Sequence, residues 1–392
     1  MKIMAVNAGS SSIKFQLLDM PSETQITSGI VERIGSENAL FTIKYNGEKH
    51  VVETSILDHG VGVNLILEGL IKHHVIKDIN EIEGVGHRVV QGGEVFKDSV
   101  LIDEKVLQQI IDLGEMAPLH NPANATGIKA FKAVLPNVPQ VAVFDTTFHQ
   151  TMDKDAYLYG TPYEWYTKYG IRKYGFHGTS HQYVSEKANQ LMGTTDTKVV
   201  VCHIGNGASL SAVKNGHCVE TSMGFTPLEG FPMGTRSGSI DPAITSYMAN
   251  KLNASAQEIT DILNKKSGYL GISGISNDAR DIEQAIAEGN ERARLAFDVQ
   301  AKQIADYIGS YYIYMGGLDA ICFTAGIGEN SSVLRQMIID RLAVLGVKLD
   351  AELNKLRGER LISTADSKVK VFIIPTDEEV MIARDTIRIS HK

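Results

Sequence analysis

The chain has 392 residues, 43% of them hydrophobic and 21% charged, so it is long enough for two domains with substantial cores and has an ordinary globular composition. Its formal charge of −8, with lysine and arginine spread along the chain, argues against a nucleic-acid-binding surface. No uncharged run approaches the length of a membrane span, no secretory signal is evident, and the three cysteines have neither zinc-ligand nor disulfide spacing. We therefore expect a cytoplasmic protein without membrane or nucleic-acid partners.

The N-terminal segment predicts a meander of strands. Residues 3–6 are apolar, residues 7–12 form a bend of small and polar side chains, and residues 13–17 alternate between apolar and polar. A third strand at 25–30 and an amphipathic helix near 64–73 follow. The bend therefore joins two strands, unlike the P-loop and the Rossmann fingerprint, which both lead from a strand into a helix.

The next segment alternates strand and helix signals and contains two candidate functional residues. The predicted elements are a strand at 84–90, helices at 104–113 and 123–134, and a buried strand at 139–144. Asp145 directly follows the last strand, at the sheet edge where ligands meet open α/β sheets. Arg88 interrupts an apolar strand, where an unpaired charge would be costly, so either a ligand or a structural salt bridge would stabilise it.

A second hairpin of the same kind lies in the other half of the chain. Residues 199–202 are a short apolar run, the bend at 203–208 contains Gly205 and Gly207, and Asn215-Gly216 is a strong hairpin-turn signal. Glycines leave backbone amides uncovered by side chains, which suits a bound phosphate. One such bend is usually an ordinary hairpin, but two copies nearly 200 residues apart predict a duplicated architecture.

The remaining segments predict loops and helices around further polar residues. The predicted elements are an insert at 174–192 that contains His177, a glycine-rich loop at 230–241 that contains Arg236, helices at 241–252, 256–265 and 291–315, a buried strand at 320–323, a glycine-rich loop at 326–330, a helix at 333–345 capped by Ser331 or Ser332, and a strand at 369–374. Thr376 and Glu379 have capping-box spacing and predict a final helix. Because capping explains Glu379, Glu378 is the better candidate for a functional carboxylate.

Several of these residues suit phosphoryl transfer, which requires a held polyphosphate, a bound Mg²⁺ and fixed positive charge near the moving group. Lys14 could contact a phosphate and Asn7 could bind Mg²⁺, although an exposed strand lysine and a turn-forming asparagine are alternative interpretations. Arg236 lies between small residues that leave its guanidinium accessible, and His177 could donate a hydrogen bond to a transferring oxygen. The other histidines lack metal-ligand spacing, so we predict no zinc site.

Two phosphate hairpins and a later glycine-rich loop resemble the fold shared by sugar kinases, Hsp70 and actin. Ordered motifs extend this resemblance to the acetate kinase family over most of the chain: VNAGSSSIKF, VGHRVV, APLHNP, VFDTTFHQTM, YGFHGTSH, HIGNGASL, TSMGFTPLEG, MGTRSG, FTAGIGENS and IPTDEE. The resemblance implies a duplicated α/β fold of two ribonuclease H-like domains with an active-site cleft. It implies an N-terminal domain of residues 1–150 plus about 381–392, a C-terminal domain of residues 151–380 with most of the nucleotide site, and a homodimer.

The implied reaction is the reversible, Mg²⁺-dependent, direct in-line transfer of the γ-phosphoryl group of ATP to acetate, giving acetyl phosphate and ADP in acetyl-CoA biosynthesis. Mn²⁺ could substitute for Mg²⁺. The resemblance assigns Arg88 to the acetate carboxylate, Asp145 to an essential acid near the reacting groups, and His177 and Arg236 to the transition state. Since acetate is already ionised, no general base is needed, and we hypothesise that Asp145 orients Mg²⁺ waters or an arginine.

The resemblance also assigns ligand-binding residues. It assigns the Mg²⁺ site to Asn7 and Glu378, and a small pocket for the methyl group to Val90, Leu119, Phe176 and Pro227. It assigns ATP binding to Lys14, Ser10, Ser12, His203, Ile204, Gly205, Asn206, Gly207, Asp278, Ala279, Arg280, Gly326, Ile327, Gly328, Glu329 and Asn330.

Two other functions stay open on the sequence. A propionate or butyrate kinase would differ only in pocket volume, and Val90 resembles the acetate form, since a smaller residue there would admit a longer chain. An actin- or Hsp70-like ATPase would need an interaction domain or a filament surface, for which no segment is evident. The chain departs from the family pattern at Gln91, Glu220 and Ser239, and the first and last of these lie close to the two key arginines in sequence.

Overall fold

The computed structural model describes residues 1–391, and the chain divides into two compact units. Unit 1 contains Met1–Thr147 and the C-terminal segment that begins at Asp377, and unit 2 contains Phe148–Thr376. Each unit contains a β-sheet with packed helices, so the predicted α/β class is confirmed. Residue 392, the last residue of the predicted N-terminal domain, lies outside the described residues.

The described residues form one sheet in each unit. Unit 1 contains β1 (Lys2–Ala8), β2 (Ser12–Asp19), β3 (Thr24–Glu32), β4 (Ser36–Tyr45), β5 (Glu48–Ile56), β6 (Ile82–Val89), β7 (Val100–Leu101) and β8 (Gln140–Phe144). Unit 2 contains β9 (Lys198–Ile204), β10 (Ala208–Lys214), β11 (His217–Thr221), β12 (Ala320–Thr324), β13 (Arg360–Leu361) and β14 (Lys370–Ile373). The strand orders are β5-β4-β3-β2-β1-β6-β8-β7 in unit 1 and β11-β10-β9-β12-β14-β13 in unit 2.

The helices connect and cover these strands. Along the described chain they are α1 (His59–Lys72), α2 (Glu104–Asp112), α3 (Asn121–Val134), α4 (Lys154–Tyr157), α5 (Tyr163–Tyr169), α6 (Gly178–Met192), α7 (Ala243–Leu252), α8 (Ala256–Lys265), α9 (Gly268–Ser273), α10 (Ala279–Ala287), α11 (Glu291–Met315), α12 (Ala325–Asn330), α13 (Ser332–Asp340) and α14 (Glu378–Ser390). Short 3-10 turns lie at Ile79–Glu81, Leu113–Glu115, Thr147–Thr151, Ala343–Leu345 and Leu353–Lys355.

Both sheets contain the same five-strand arrangement. In unit 1 the order β3-β2-β1-β6-β8 begins with antiparallel pairs and continues with parallel pairs. In unit 2 the order β11-β10-β9-β12-β14 has the same sequence of antiparallel and parallel pairs. The duplicated architecture predicted from the two hairpins is therefore confirmed.

In unit 1, helices cover both faces of β6. Alternate residues of a strand point to opposite faces, so two neighbouring residues show what packs on each face. His87 packs edge-on against Phe131 of α3, with ring centroids 5.4 Å apart. Gly86 instead faces α14, and a Cβ atom at this position would overlap Ile382 and Thr386. The C-terminal helix is therefore an integral layer of unit 1, and the absence of a side chain at Gly86 allows its close approach.

In unit 2, α6 packs on one face of the sheet, where Val184 and Ala188 contact Val199 and Val201 in a buried apolar cluster. The intervening Val200 is also fully buried, so both faces of β9 are covered. Such burial explains why the run at 199–202 is continuously apolar and does not alternate.

Three local predictions were wrong. Thr376 does not cap the final helix: the Asp377 carboxylate accepts from the Val380 amide at 3.0 Å, and Asp377 is the N-cap of α14. The segment at 326–330 is part of the short helix α12, not a loop. The helix predicted at 333–345 ends as α13 and continues only as the 3-10 turn Ala343–Leu345. Its predicted start is confirmed, because the Ser331 hydroxyl accepts from the Leu334 amide.

Candidate active site

Arg88 and Asp145 form a bidentate ion pair in unit 1. Arg88 lies near the end of β6 and Asp145 directly follows β8, two strands that pair in parallel. Arg88 Nε donates to Asp145 Oδ1 at 2.8 Å, and Arg88 Nη2 donates to Asp145 Oδ2 at 2.6 Å. Asp145 is 1% exposed, whereas the Arg88 side chain is 24% exposed. The carboxylate raises the pKa of Arg88 and fixes one edge of the guanidinium, so the remaining N–H groups are oriented for a ligand.

A cavity of about 460 Å³ lies beside this ion pair. Its lining includes Asn7, Lys14, Arg88, Glu378 and Glu379. Asn7 and Lys14 are direct partners across the antiparallel strands β1 and β2, so their side chains share one face of the sheet. The structure thus brings together four of the residues predicted for metal, nucleotide and carboxylate binding.

The same cavity contains oxygen donors of the kind that Mg²⁺ prefers. The Asn7 amide oxygen and the Glu378 and Glu379 carboxylates are hard ligands. Burial, together with the charge of Glu378, raises the pKa of the Glu379 carboxyl, so a cation would relieve an electrostatic cost. Within residues 1–391, no group of three or more His, Cys, Asp or Glu side chains forms a metal site by itself. The donor set therefore fits a Mg²⁺ ion that is shared with substrate phosphates.

In unit 2, His177 lies at the start of α6 in a strained backbone conformation. Its φ angle is 60°, in the left-handed region that residues other than glycine seldom adopt. The Nδ1 atom lies 2.9 Å from Ser209 Oγ on β10, and the imidazole stacks on His203 with 4.1 Å between ring centroids. These contacts fix the orientation of the His177 ring.

Arg236 and His177 meet at the glycine-rich bend between β9 and β10. A Cβ atom at Gly207 would lie 3.2 Å from Arg236 Nη1 and 3.7 Å from His177 Nε2. Burial lowers the pKa of the Arg236 guanidinium, and no carboxylate within the described residues pairs with it. Its Nη1 donates to the Pro227 carbonyl at 3.4 Å. A desolvated cation without a counterion is costly, so this position is suited to an anionic ligand.

A second cavity, of about 710 Å³, adjoins the bend in unit 2 and is large enough for a nucleotide. Its lining includes seven of the residues predicted for ATP: Asn206, Asp278, Ala279, Arg280, Gly326, Ile327 and Asn330. Asp278 caps α10 and forms an ion pair with Arg280, with 2.5 Å between Oδ2 and Nη2. Asn206, which lines this cavity, directly precedes Gly207, the residue of the bend that lies near Arg236 and His177.

The other residues predicted for ATP are divided between the two units. Ser10 and Ser12 belong to the bend of unit 1, where Ser10 is exposed. In unit 2, His203 and Ile204 end β9, Gly205 N donates to Gly207 O at 3.1 Å within the hairpin bend, and Gly328 and Glu329 lie in α12. Their contact with a nucleotide stays a prediction.

The four residues predicted for the methyl pocket are divided between the units. In unit 1, Val90 is buried, whereas Leu119 is 73% exposed. In unit 2, Phe176 is buried and its carbonyl lies 3.0 Å from His149 Nε2, while the Pro227 carbonyl lies near Arg236. A shared pocket for the methyl group therefore stays a prediction.

Sequence reasoning missed the residues that support Val90 and the neighbouring bend. Asn124 Oδ1 accepts from the Val90 amide at 3.2 Å, and Asn124 Nδ2 donates to the Ala8 carbonyl at 2.8 Å. The Asn121 side chain binds the Gln91 backbone twice: Asn121 Oδ1 accepts from the Gln91 amide, and Asn121 Nδ2 donates to the Gln91 carbonyl. Two asparagines at the start of a predicted helix were the available signal, but their partners depend on how α3 packs. Glu379 was missed because it was attributed to helix capping.

The three departures from the family pattern have structural partners. Gln91 is fully buried, and its Oε1 accepts from the Gly93 amide at 2.9 Å. Glu220 forms an ion pair with Lys173, with 2.6 Å between Oε1 and Nζ. Ser239 closes its loop, since its Oγ accepts from the Gly230 amide at 3.2 Å.

A nucleotide-sized cavity and a desolvated arginine without a carboxylate partner among the described residues, both on this duplicated fold, are features of a kinase, and comparison with known proteins supports this class. The model of the acetokinase family matches residues 2–384, and the chain belongs to that family, whose members are phosphotransferases that act on a carboxyl group. The acetate kinase of Acholeplasma laidlawii (strain PG-8A) is 59% identical over 393 residues, covering all of both chains. The acetate kinase of Bacillus subtilis (strain 168) is 59% identical and covers 99% of each chain.

Solved structures show the same similarity. The acetate kinase of Porphyromonas gingivalis matches with a TM-score of 0.95 at 44% identity, covering 99% of each chain. A propionate kinase from Francisella tularensis matches with a TM-score of 0.94 at 42% identity, also covering 99% of each chain. Among the described residues, none of the helices is both long enough and apolar enough to span a membrane.

Proposed function

We propose that the protein catalyses the reversible, Mg²⁺-dependent transfer of the γ-phosphoryl group of ATP to acetate, giving acetyl phosphate and ADP. The observation that carries this proposal is the position of Arg236. Its half-buried guanidinium has no carboxylate partner within the described residues and lies, with His177 Nε2, at the Gly207 bend, next in sequence to Asn206 of the nucleotide-sized cavity. Relatives named acetate kinase at 59% identity support acetate as the acceptor.

The chemistry requires positive charge more than it requires a base. An acetate oxygen attacks the γ-phosphorus, the bond to the bridging oxygen of ADP breaks, and the electron pair of that bond stays on ADP. Acetate and the phosphoryl group are both anionic, and unit charges 4 Å apart repel by about 4 kcal/mol at an effective dielectric of 20. Arg88 and Arg236 have the sign that offsets this repulsion, and acetate is ionised at neutral pH without help from the protein.

Each side chain has a distinct role in this proposal. Arg88 binds the acetate carboxylate, and Asp145 orients Arg88 through the bidentate contact, which favours the arginine over Mg²⁺ waters as the group that Asp145 positions. Arg236 and His177 bind the oxygens of the transferring phosphoryl group. Asn7, Glu378 and substrate phosphates hold Mg²⁺, with Glu379 as a further oxygen donor. When bound, the ion neutralises phosphate charge, and Mn²⁺ would serve as well.

Nucleotide binding follows from the lining of the larger cavity. We assign the nucleoside to the pocket between α10 and α12, with Asp278 and Arg280 at one side and Gly326 and Ile327 at the other. Lys14 and the bends at 7–12 and 203–208 are assigned to the phosphates. The small residues of such bends leave backbone amides uncovered by side chains, which suits anions.

The wider context stays part of the proposal. We assign units 1 and 2 to the two ribonuclease H-like domains, and we expect a cytoplasmic homodimer that contributes to acetyl-CoA biosynthesis. Family membership and the resemblance support these points.

A propionate kinase is the second candidate, because a protein of that name matches with a TM-score of 0.94. One methylene in a pocket is worth about 1–3 kcal/mol, so some turnover of propionate is expected from an acetate kinase. The buried Val90 favours the smaller acid if it lines the methyl pocket.

The test compares acetate, propionate and butyrate as acceptors with ATP and Mg²⁺. We expect kcat/KM to fall in that order. A higher kcat/KM for propionate would contradict the substrate and leave the reaction class intact. ATP turnover that ignores all three acids would instead indicate an actin- or Hsp70-like ATPase.

A further inference from the structure

A cluster of four histidines lies behind the proposed phosphoryl site in unit 2. His177 stacks on His203, and His181 and His149 form the next layer, with 5.6 Å between their ring centroids. His181 and His149 are fully buried. Burial and the two neighbouring imidazoles, His149 and His203, hold the pKa of His181 well below its usual range, so this ring is neutral.

The Ser209 hydroxyl joins two of these rings. Its Oγ lies 2.9 Å from His177 Nδ1 and 2.8 Å from His181 Nε2, and the serine is fully buried. A hydroxyl has one proton to donate, so it donates to one ring and accepts from the other. The direction of this relay therefore sets which nitrogen of His177 carries a proton.

The far side of His181 fixes the direction. Its Nδ1 is buried and has no hydrogen-bond partner among the described residues. Orphaned buried N–H groups are rarer than under-satisfied acceptors, so the favoured tautomer leaves Nδ1 without a proton and places the proton on Nε2. His181 Nε2–H then donates to Ser209 Oγ, and the Ser209 hydroxyl donates to His177 Nδ1.

From this relay we propose that Ser209 and His181 are positioning residues that hold His177 in its neutral Nε2–H tautomer. The inference rests on the proposed function, in which His177 Nε2 contacts the transferring phosphoryl group. His177 would then act as a neutral donor with a fixed direction, beside the cation of Arg236. Which nitrogen of a histidine carries the proton is commonly set by the partner of the other nitrogen.

The second hydroxyl of the cluster supports this arrangement. Thr376 Oγ1 donates to Ser180 Oγ at 2.8 Å, and Ser180 Oγ lies 2.7 Å from His203 Nδ1. A hydroxyl that accepts from one neighbour still has its own proton to donate, so Ser180 can donate to His203 Nδ1, and His203 then carries its ring proton on Nε2 as well. Two stacked rings with the same neutral tautomer avoid the repulsion that two imidazolium ions at 4.1 Å between centroids would suffer.

The direct test is the tautomer itself, measured by ¹⁵N NMR of histidine-labelled full-length protein near pH 7.5. We expect His177 to give the signals of a neutral ring protonated at Nε2. Ser209→Ala should convert it to a mixture of tautomers, and His181→Leu should do the same. His181→Gln, whose amide can donate from about the place of Nε2, should preserve the bias.

The matched control is Ser211→Ala, which removes a fully buried hydroxyl from the same strand. Ser211 Oγ pairs with Thr221 Oγ1 at 3.0 Å and also bonds to Cys218, whereas the hydrogen bonds of Ser209 go to His177 and His181. This variant should leave the His177 signals unchanged. A wild-type His177 that is protonated at Nδ1, or a Ser209→Ala variant with unchanged His177 signals, would overturn the inference whatever the activity.

Kinetics then separate the inference from the proposed function. Ser209→Ala should lower kcat about tenfold, the loss expected for one hydrogen bond, with KM for ATP and acetate within about twofold. In a His177→Ala background the same change should cost nothing further, because Ser209 acts through His177. If Ser209→Ala and His181→Leu changed the His177 tautomer but left kcat unchanged, the role of His177 in the proposed function would be contradicted. If Ser209→Ala caused an equal tenfold loss of kcat in the His177→Ala background, the inference itself would be overturned.

Discussion

The two arginines assigned to the reaction are in opposite electrostatic situations. In unit 1, Arg88 forms a bidentate ion pair with the buried Asp145, which raises the pKa of the guanidinium. In unit 2, Arg236 is partly desolvated and has no carboxylate partner among residues 1–391, and burial lowers its pKa. A paired arginine presents oriented donors with its charge largely offset, whereas an unpaired one presents a full charge. We infer that the first is suited to orienting a small carboxylate and the second to stabilising a phosphoryl group as it moves.

The largest effect should come from removing the unpaired charge. Arg236→Gln should lower kcat by about 10²–10³-fold, the cost typical of losing a donor that stabilises charge in a transition state. Arg236→Lys should recover part of the loss, since it restores the charge without the planar fork of donors. Steady-state assays with ATP, Mg²⁺ and acetate measure both.

The Arg236 variants must fold like the wild-type protein for the kinetic comparison to be valid. Circular dichroism and nucleotide binding by calorimetry should remain close to wild type in the Arg236 variants. A kcat within fivefold of wild type for Arg236→Gln would contradict the assignment of this residue.

The next effect concerns stability and should have opposite outcomes in the two units. Arg88→Met leaves the Asp145 carboxylate buried without its partner and should destabilise the fold by about 3–5 kcal/mol near pH 7.5. Arg236→Met removes a charge that has no partner to lose, so its free energy of unfolding should be unchanged or higher. Urea unfolding followed by circular dichroism measures the midpoints of both variants.

An equal loss of stability in the Arg88→Met and Arg236→Met variants would contradict the comparison of a paired with an unpaired arginine.

A smaller effect is expected from loosening the paired arginine. Asp145→Asn keeps the size of the side chain but replaces one acceptor with an NH₂ group that faces Arg88 Nη2. Arg88 should lose its fixed orientation, and KM for acetate should rise about 10–100-fold, since a hydrogen bond to a charged group is worth about 1.5–3 kcal/mol. KM for ATP should stay within about twofold, and an unchanged KM for acetate would show that Arg88 needs no such support.

The smallest effect tests how closely the Gly207 bend of unit 2 approaches Arg236 and His177. Gly207→Ala places a Cβ atom 3.2 Å from Arg236 Nη1 and 3.7 Å from His177 Nε2. The guanidinium must shift by a few tenths of an ångström, so kcat should fall several-fold, an effect of about 1 kcal/mol on the activation barrier. Gly160→Ala is the control, because a Cβ atom there meets nothing within 4 Å. Equal activity of the two variants would contradict the close approach of the bend to these residues.

Local sequence signals predicted elements well wherever the structure is decided locally. The Asn215-Gly216 turn has φ angles of 54° and 80°, as a two-residue hairpin turn requires, and α8 and α11 begin and end at the predicted residues. The Asp377 cap was missed because Thr376 has the same chemistry one position earlier. In the fold, Thr376 instead bonds to Ser180, a partner 196 residues away in sequence.

The residues of the site could be predicted from the sequence, but the contacts between them could not. Arg88 and Asp145 were each identified from one strand, yet their ion pair depends on the register of β6 against β8, which no local pattern reveals. Ser209 lay within a recognised motif without a role, because its contact with His177 and His181 depends on how α6 packs against β10. That no carboxylate of the described residues pairs with Arg236 also depends on the packed fold and cannot be read from the sequence.

The division of labour between the two arginines can be measured most directly by steady-state kinetics of Arg88→Gln and Arg236→Gln side by side, with acetate varied at saturating ATP. The account predicts that Arg88→Gln raises KM for acetate by at least about tenfold, the loss of one charge-assisted contact, whereas Arg236→Gln lowers kcat with KM for acetate near wild type. If both variants raised KM for acetate, or both lowered kcat, the distinction between a carboxylate-orienting and a phosphoryl-stabilising arginine would be contradicted.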